Sequence, residues 1–209
     1  MYNVSDVCCP SPIVKQDQSR AYRRVLWIVL GVNLAMFIVE MVVGLSAGSV
    51  ALQADSLDFL GDTANYGVSL FVSGMALRNR SIAAFGKGVT MGLFGIWVLA
   101  SSAWKAFGGV PPEAVTMCLV GFAALAANAL CFALLSAYRS GDSNMRSVWL
   151  CSRNDLVGNC AVLAAAIGVA RTGAAWPDVL VAALMAVLAL QGAAVVVRQA
   201  RAELTGAAA

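Results

Sequence analysis

The chain contains no histidine among its 209 residues. Histidine is the commonest metal ligand in proteins and the only side chain that ordinarily changes charge near neutral pH. Its absence excludes histidine-based metal centres and histidine proton carriers. Any metal site in this chain must therefore use carboxylate, thiolate, amide or backbone oxygen donors.

Charged residues are also scarce. They make up 12% of the sequence, and hydrophobic residues make up 60%, whereas ordinary soluble domains carry about 25% charged residues. No long basic run suggests nucleic-acid binding, and the six cysteines do not form a disulfide framework. We therefore predict an all-α, polytopic membrane protein that binds no nucleic acid and carries no prosthetic group.

Hydrophobic runs separated by polar or glycine- and proline-rich breaks predict six membrane spans of ~20 residues or more each. The predicted spans are 25–46, 50–77, 86–107, 113–137, 147–170 and 177–198. They divide the chain into a cytoplasmic tail over 1–22, a six-helix transmembrane domain over 23–203 and a short tail over 204–209.

Basic residues are distributed unequally between the two sides that these six spans define. Eleven of the 14 lysines and arginines fall on the side of the termini. Lys105 and Arg171 fall on the other side, and Arg153 lies within a span. Because cytoplasmic loops are enriched in lysine and arginine, both termini are predicted to be cytoplasmic.

Acidic side chains lie inside the predicted second and fifth spans. A charge at mid-bilayer costs about 2.5–3.5 kcal/mol on the insertion scale, so it is kept mainly where it faces other charges, water or a bound cation. Asp58 and Asp62 are one helical turn apart, and so are Cys151 and Asp155. Residues four apart share a helix face, so two facing spans would bring together four donors, the coordination number of tetrahedral zinc.

Close carboxylates without a cation repel one another, and some of them take up protons. Metal ions and protons should therefore compete for this site, which would provide a route to exchange. The alternative is that the acids pair with Arg153 or cap helix ends, although one arginine cannot neutralise all of them. Arg153 itself could also form a gate on the cytoplasmic side.

Several other polar side chains have two interpretations. Four asparagines are either additional ligands or ordinary interhelical hydrogen-bonding groups: Asn33, Asn65, Asn154 and Asn159. Asp55 is expected to line the exit or to cap the helix rather than to bind metal. Cys8 and Cys9 could hold a soft metal, but a tail with incidental thiols is the favoured explanation.

Two segments resemble those of the cation diffusion facilitator family. Residues 48–62 resemble its second helix, in which an Ala-Asp pair is followed by a His or Asp four residues before an Asp. Residues 144–155 resemble its fifth helix, in which a His or Asp again precedes an Asp by four. Glu40 in the first span also resembles a family feature. The matching site positions are Asp58, Asp62, Cys151 and Asp155.

The resemblance implies a secondary transporter that exports divalent metal cations in exchange for protons. It implies zinc as the main substrate, with cadmium or cobalt as further ones, and a homodimer joined through its membrane helices in a bacterial inner membrane. The alternatives are a non-transporting membrane metal sensor or accessory subunit and an intramembrane enzyme. No nucleophile–base motif appears, so we predict that the chain is not an enzyme.

This chain departs from the family pattern at two points. The family's cytoplasmic C-terminal domain does not follow the last span, so we expect a short member without it. Cys151 stands where the family's fifth helix has histidine. A thiolate ligand favours softer ions such as cadmium or zinc, whereas an amide in its place would favour harder ions.

Overall fold

The computed structural model describes residues 20–72, 77–138 and 143–205. Side chains are described for these residues except 72, 77, 80 and 143–154. The described chain is helical apart from short connections, which confirms the all-α fold class. Its six α-helices are α1 (Arg20–Ser46), α2 (Val50–Gly67), α3 (Leu77–Ala106), α4 (Ala114–Ser136), α5 (Ser143–Thr172) and α6 (Trp176–Thr205). A π-helical segment, Val68–Val72, continues α2.

Five segments of the described chain are long and apolar enough to cross a membrane. They are Arg20–Ser46, Ser81–Ala106, Ala114–Ser136, Asp155–Thr172 and Trp176–Thr205. The helix α2 is not among them, because its 18 residues include three aspartates. Large apolar side chains such as Leu93 and Phe122 are exposed on the outside of the bundle, as expected where lipid is the solvent.

The helices extend further than the hydrophobic runs predicted. The helix α1 begins at Arg20, inside the predicted 1–22 tail, α3 begins at Leu77 rather than at 86, and α6 continues to Thr205 rather than to 198. These extensions carry charged residues such as Arg78 and Arg201. A hydropathy pattern detects only the apolar part of a helix, whereas the backbone hydrogen bonds continue through the charged turns.

A tight turn joins α1 to α2. Gly48 has a φ of +67°, a left-handed conformation that glycine adopts without strain. Ser49 then caps α2, because its hydroxyl accepts a hydrogen bond from the amide of Leu52 at 3.1 Å. We call the end of the bundle that contains this turn the Ser49 end, and the opposite end, where α2 finishes, the Tyr66 end.

The helix α2 lies in the middle of the bundle, where it contacts α1, α3, α5 and α6. The most extensive pairings elsewhere are between α3 and α6 and between α4 and α5. Glycines allow α3 and α6 to approach closely: a Cβ added at Gly88 would lie 2.8 Å from a methyl carbon of Val197, and one at Gly95 would lie 3.1 Å from Leu190. Small residues serve this purpose in membrane helix packing.

Candidate metal site

Three aspartates form a stripe along one face of α2. Asp55, Asp58 and Asp62 are spaced by three and then four residues, which places them above one another on a helix. Asp55 is fully buried, Asp62 is 6% exposed and Asp58 is partly buried. Because α2 is surrounded by other helices, this acidic face points into the protein rather than into lipid.

The acidic face of α2 meets α5 at a glycine. A Cβ added at Gly158 would lie 3.6 Å from Oδ2 of Asp58 and 4.0 Å from Oδ1 of Asp55. Since glycine has no side chain, the backbone of α5 comes close to these carboxylates. Asp155 lies one turn earlier on α5, and its buried Oδ2 has no hydrogen-bond partner in the described structure.

The charges that act most strongly on Asp155 are those of Asp62 and then Asp58. Three of the four predicted site residues, Asp58, Asp62 and Asp155, are therefore close enough for their charges to interact. The fourth, Cys151, lies on α5 one turn before Asp155, and its side chain is outside the described set. Among the described residues, no three His, Cys, Asp or Glu side chains are arranged to hold a metal ion.

Two further carboxylates lie beside this group. Glu40 on α1 and Asp55 are both 0% exposed, and none of their four carboxylate oxygens has a hydrogen-bond partner in the described structure. The charges acting on Glu40 are those of Asp55 and then Asp58. The expectation that Asp55 caps the helix is wrong, because Asp55 lies inside α2 and Ser49 is the N-cap.

Tyr66 is a neighbour of the site that the sequence reasoning missed. Its hydroxyl donates a hydrogen bond to Oδ2 of Asp62 at 2.6 Å. The signal in the sequence was its position four residues after Asp62, on the same helix face. One turn of α2 therefore supplies both a carboxylate and the donor that holds it.

The predicted amide candidates have different surroundings. Asn65 accepts a hydrogen bond from Nζ of Lys87 on α3. Asn33 donates to the carbonyl of Val29 at 2.7 Å and to Sγ of Cys131 at 3.6 Å, which matches the interpretation as an interhelical hydrogen bond.

On α5, Asn159 is buried and donates to the carbonyl of Asp155 at 2.9 Å. Its side-chain oxygen has no partner among the described residues. Asn154 and Arg153 lie on the same helix, with their side chains outside the described set. The predicted soft-metal candidates Cys8 and Cys9 lie outside the described residues.

A family comparison identifies this arrangement of helices. Residues 26–205 match the model of the cation efflux transmembrane domain. The chain belongs to the cation efflux family. Proteins of the cation efflux family are transporters, which confirms that the chain is not an enzyme. The family and the five apolar helices confirm a multi-pass membrane protein.

Bacterial members of the cation efflux family resemble the chain at moderate identity. The metal cation efflux system protein CzcD of Cupriavidus metallidurans is 28% identical over 186 residues, which are 81% of this chain and 57% of CzcD. The zinc transporter ZitB of Yersinia pseudotuberculosis is 28% identical over 200 residues, 88% of this chain and 62% of ZitB.

A second zinc transporter ZitB, from Pectobacterium atrosepticum, is 29% identical over 175 residues, 78% of this chain and 55% of its own length. The chain thus spans between 55% and 62% of the length of these relatives. Their bacterial origin agrees with the predicted bacterial inner membrane.

Proposed function

We propose that the chain exports divalent metal cations from the cytoplasm, zinc foremost, in exchange for protons. The observation that carries this proposal is the meeting of α2 and α5 carboxylates in the buried interior of a cation efflux transmembrane domain. The printed names of the relatives, a metal cation efflux protein and zinc transporters, support the choice of substrate.

The proposed metal ligands are Asp58 and Asp62 from α2 and Asp155 and Cys151 from α5. Carboxylate and thiolate donors of this number suit a tetrahedral divalent ion such as zinc. Side chains on two different helices can close on a cation and separate again when the helices shift. A site shared between helices is therefore suited to transient binding during transport.

The helix α2 is proposed as the sixth span. Its 18 residues and the five π-helical residues that follow approach the ~20 residues that a span requires. Its aspartates face the protein interior, so lipid does not have to solvate them. From the distribution of basic residues, we propose that the Tyr66 end and both termini are cytoplasmic and that the Ser49 end is outside.

Proton exchange is proposed because five carboxylates are neighbours: Glu40, Asp55 and Asp62, which are buried, and Asp58 and Asp155, which are partly buried. Buried anions repel one another unless a cation or protons neutralise them. Arrival of a divalent cation would favour release of protons from the group, and its departure would favour their return. Glu40 and Asp55 have no other partner among the described residues and are proposed to hold protons rather than metal.

A homodimer joined through the membrane helices, with no prosthetic group, completes the proposal. Large apolar side chains such as Leu93 and Phe122 are exposed on the outside of the bundle and supply the surface for this association.

The test is zinc flux into proteoliposomes that contain purified wild-type, Asp62→Asn or Asp155→Asn protein. Each asparagine keeps the shape of the side chain but removes a charged ligand, so we expect transport to fall by at least about tenfold, the lower range for lost metal-site interactions. Glu113→Gln is the control, because Glu113 is exposed at the start of α4 and its carboxylate bonds only Thr116 among the described residues.

Each outcome separates the alternatives. Zinc binding without flux in the wild-type protein would indicate a sensor or accessory subunit. Flux that persists unchanged in both asparagine variants would overturn the proposed site.

A further inference from the structure

A second buried carboxylate group lies outside the proposed metal site. Asp178, in the first turn of α6, is 0% exposed, and both of its oxygens are bonded. Oδ1 accepts from the hydroxyl of Ser49 at 2.7 Å and from the amide of Ala51 at 3.0 Å. Oδ2 accepts from the amide of Val50 at 3.1 Å and from Nζ of Lys105 at 3.1 Å.

This carboxylate joins the ends of three helices. The amides of Val50 and Ala51 belong to the first turn of α2, where N–H groups have no partner within the helix. Lys105 belongs to the last turn of α3 and also donates to the carbonyl of Gly48. The buried charge of Asp178 is therefore compensated by a lysine and by the positive end of a helix dipole.

The backbone next to Asp178 packs closely against α5. A Cβ added at Gly168 of α5 would lie 2.9 Å from Cβ of Pro177, the residue before Asp178. The chain at this point thus contacts α5 through Pro177 and α2 through the Asp178 side chain. These are the two helices that carry the proposed metal ligands.

The distance along α2 from the residues that bond Asp178 to the proposed metal ligands is short. Asp58 follows Val50 by eight residues, a rise of about 12 Å or little more than two turns. A helix of this length moves as a rigid unit, so a shift at its first turn is passed to its carboxylates.

We propose that Asp178 is a positioning residue, which sets Asp58 and Asp62 at the level of Asp155 by holding the first turn of α2 against α6 and α3. This inference rests on the proposed function, since it assigns a role at the same metal site. Asp178 lies beside the first turn of α2, about 12 Å along the α2 axis from Asp58. It therefore does not bind that metal and acts only through α2.

The test uses the full-length protein in detergent, with Co²⁺ as the probe, because the visible absorption of Co²⁺ reports the geometry of its ligands. Asp178→Asn removes the charge, and Lys105→Gln removes only the ion pair. We expect Co²⁺ affinity per folded molecule to fall about tenfold in Asp178→Asn, as for lost outer-sphere interactions, with an altered spectrum. Lys105→Gln should show a smaller change in the same direction, and Glu113→Gln should show none.

Hydrogen exchange, followed by mass spectrometry, measures the contact itself without metal. The amides of Val50 and Ala51 should exchange faster in Asp178→Asn than in the wild-type protein. Unchanged exchange would overturn the contact. Faster exchange and a lower melting temperature, with unchanged Co²⁺ affinity and spectrum, would overturn the positioning role and leave only a stabilising cap. Absence of Co²⁺ binding in the wild-type protein would overturn the proposed function and this role together.

Discussion

At the scale of single residues, the site differs from a preformed metal centre in that its carboxylates already have partners or neighbours of like charge. Asp62 accepts a hydrogen bond from Tyr66 at 2.6 Å, and Asp155 faces the charges of Asp62 and Asp58. A metal ion entering the site would remove the repulsion and compete with the hydroxyl. The free energy of binding therefore depends on the groups that hold Asp62 as well as on the ligands.

Replacement of Tyr66 by phenylalanine should tighten zinc binding and slow transport. The hydroxyl stabilises Asp62 before metal arrives, and a hydrogen bond to a charged group contributes about 1.5–3 kcal/mol. Without it the metal-free state is less stable, so the Kd for zinc should fall and release should become slower. Zinc titration measures the Kd, and the flux assay measures the rate of transport. A higher Kd in Tyr66→Phe than in the wild-type protein would contradict this explanation.

Replacement of Cys151 by serine should change the preference of transport among metals. A thiolate favours soft ions, and a hydroxyl does not. If Cys151 is a ligand, cadmium and zinc transport should fall by more than manganese transport in Cys151→Ser. Parallel flux measurements with the three metals provide the comparison, with Cys118→Ser as the matched control because Cys118 lies on α4, away from the acidic face. An equal decrease for all three metals would exclude Cys151 from the site.

At the scale of helices, the structure distinguishes the element that carries the acids from the elements that support it. The helix α2 contacts four neighbours, and it is capped at its first turn by Ser49 and Asp178. The helices α3 and α6 pack against each other along a row of glycines. The acidic helix is thus held by its contacts with four helices and by its capped first turn, beside a closely packed apolar pair.

An alanine at Gly88 should destabilise the α3–α6 pair. Its Cβ would lie 2.8 Å from a methyl carbon of Val197, and overpacking of this kind typically costs about 1–3 kcal/mol. A matched control lies one half-turn away, because a Cβ at Gly86 would meet nothing within 4 Å. Thermal unfolding in detergent should therefore show a lower Tm for Gly88→Ala and an unchanged or higher Tm for Gly86→Ala. Equal Tm values would show that the helices separate to accept the methyl group.

At the scale of the whole molecule, the unusual property is the number of acids buried in a chain with so few charges. Eleven of its 209 residues are acidic, and five of these lie together between α1, α2 and α5. A membrane protein keeps such a group mainly where the acids face other charges, water, protons or a bound cation. Because the chain has no histidine, the proposed proton exchange falls to the carboxylates themselves.

Purified protein should release protons when it binds metal. Because the bound cation replaces protons on the same group of carboxylates, release into a weakly buffered solution should rise with metal occupancy and saturate with it. A pH-sensitive dye would follow release during titration with zinc, cadmium, cobalt, manganese and iron, and would give the order of affinities together with the coupling. Metal binding with no proton release in any of these titrations would exclude proton antiport.

The sequence alone determined the helical class, the membrane environment, the acidic turns of the second and fifth helices and the family resemblance. These features depend on composition and on spacing within one helix, where residues four apart must share a face. The sequence also predicted that Asp58 and Asp62 meet Asp155, but only on the assumption that the second and fifth helices face each other.

Only the tertiary structure could decide which groups from distant segments meet. Asp178 lies in the first turn of an otherwise apolar span, and nothing near it in the sequence indicates that it bonds the first turn of α2, 127 to 129 residues earlier. The approach of Gly158 to the α2 carboxylates and the burial of Glu40 beside Asp55 also depend on how helices pack. Local spacing fixes the face on which a side chain lies, whereas the partner opposite that face is selected by the packing of the whole bundle.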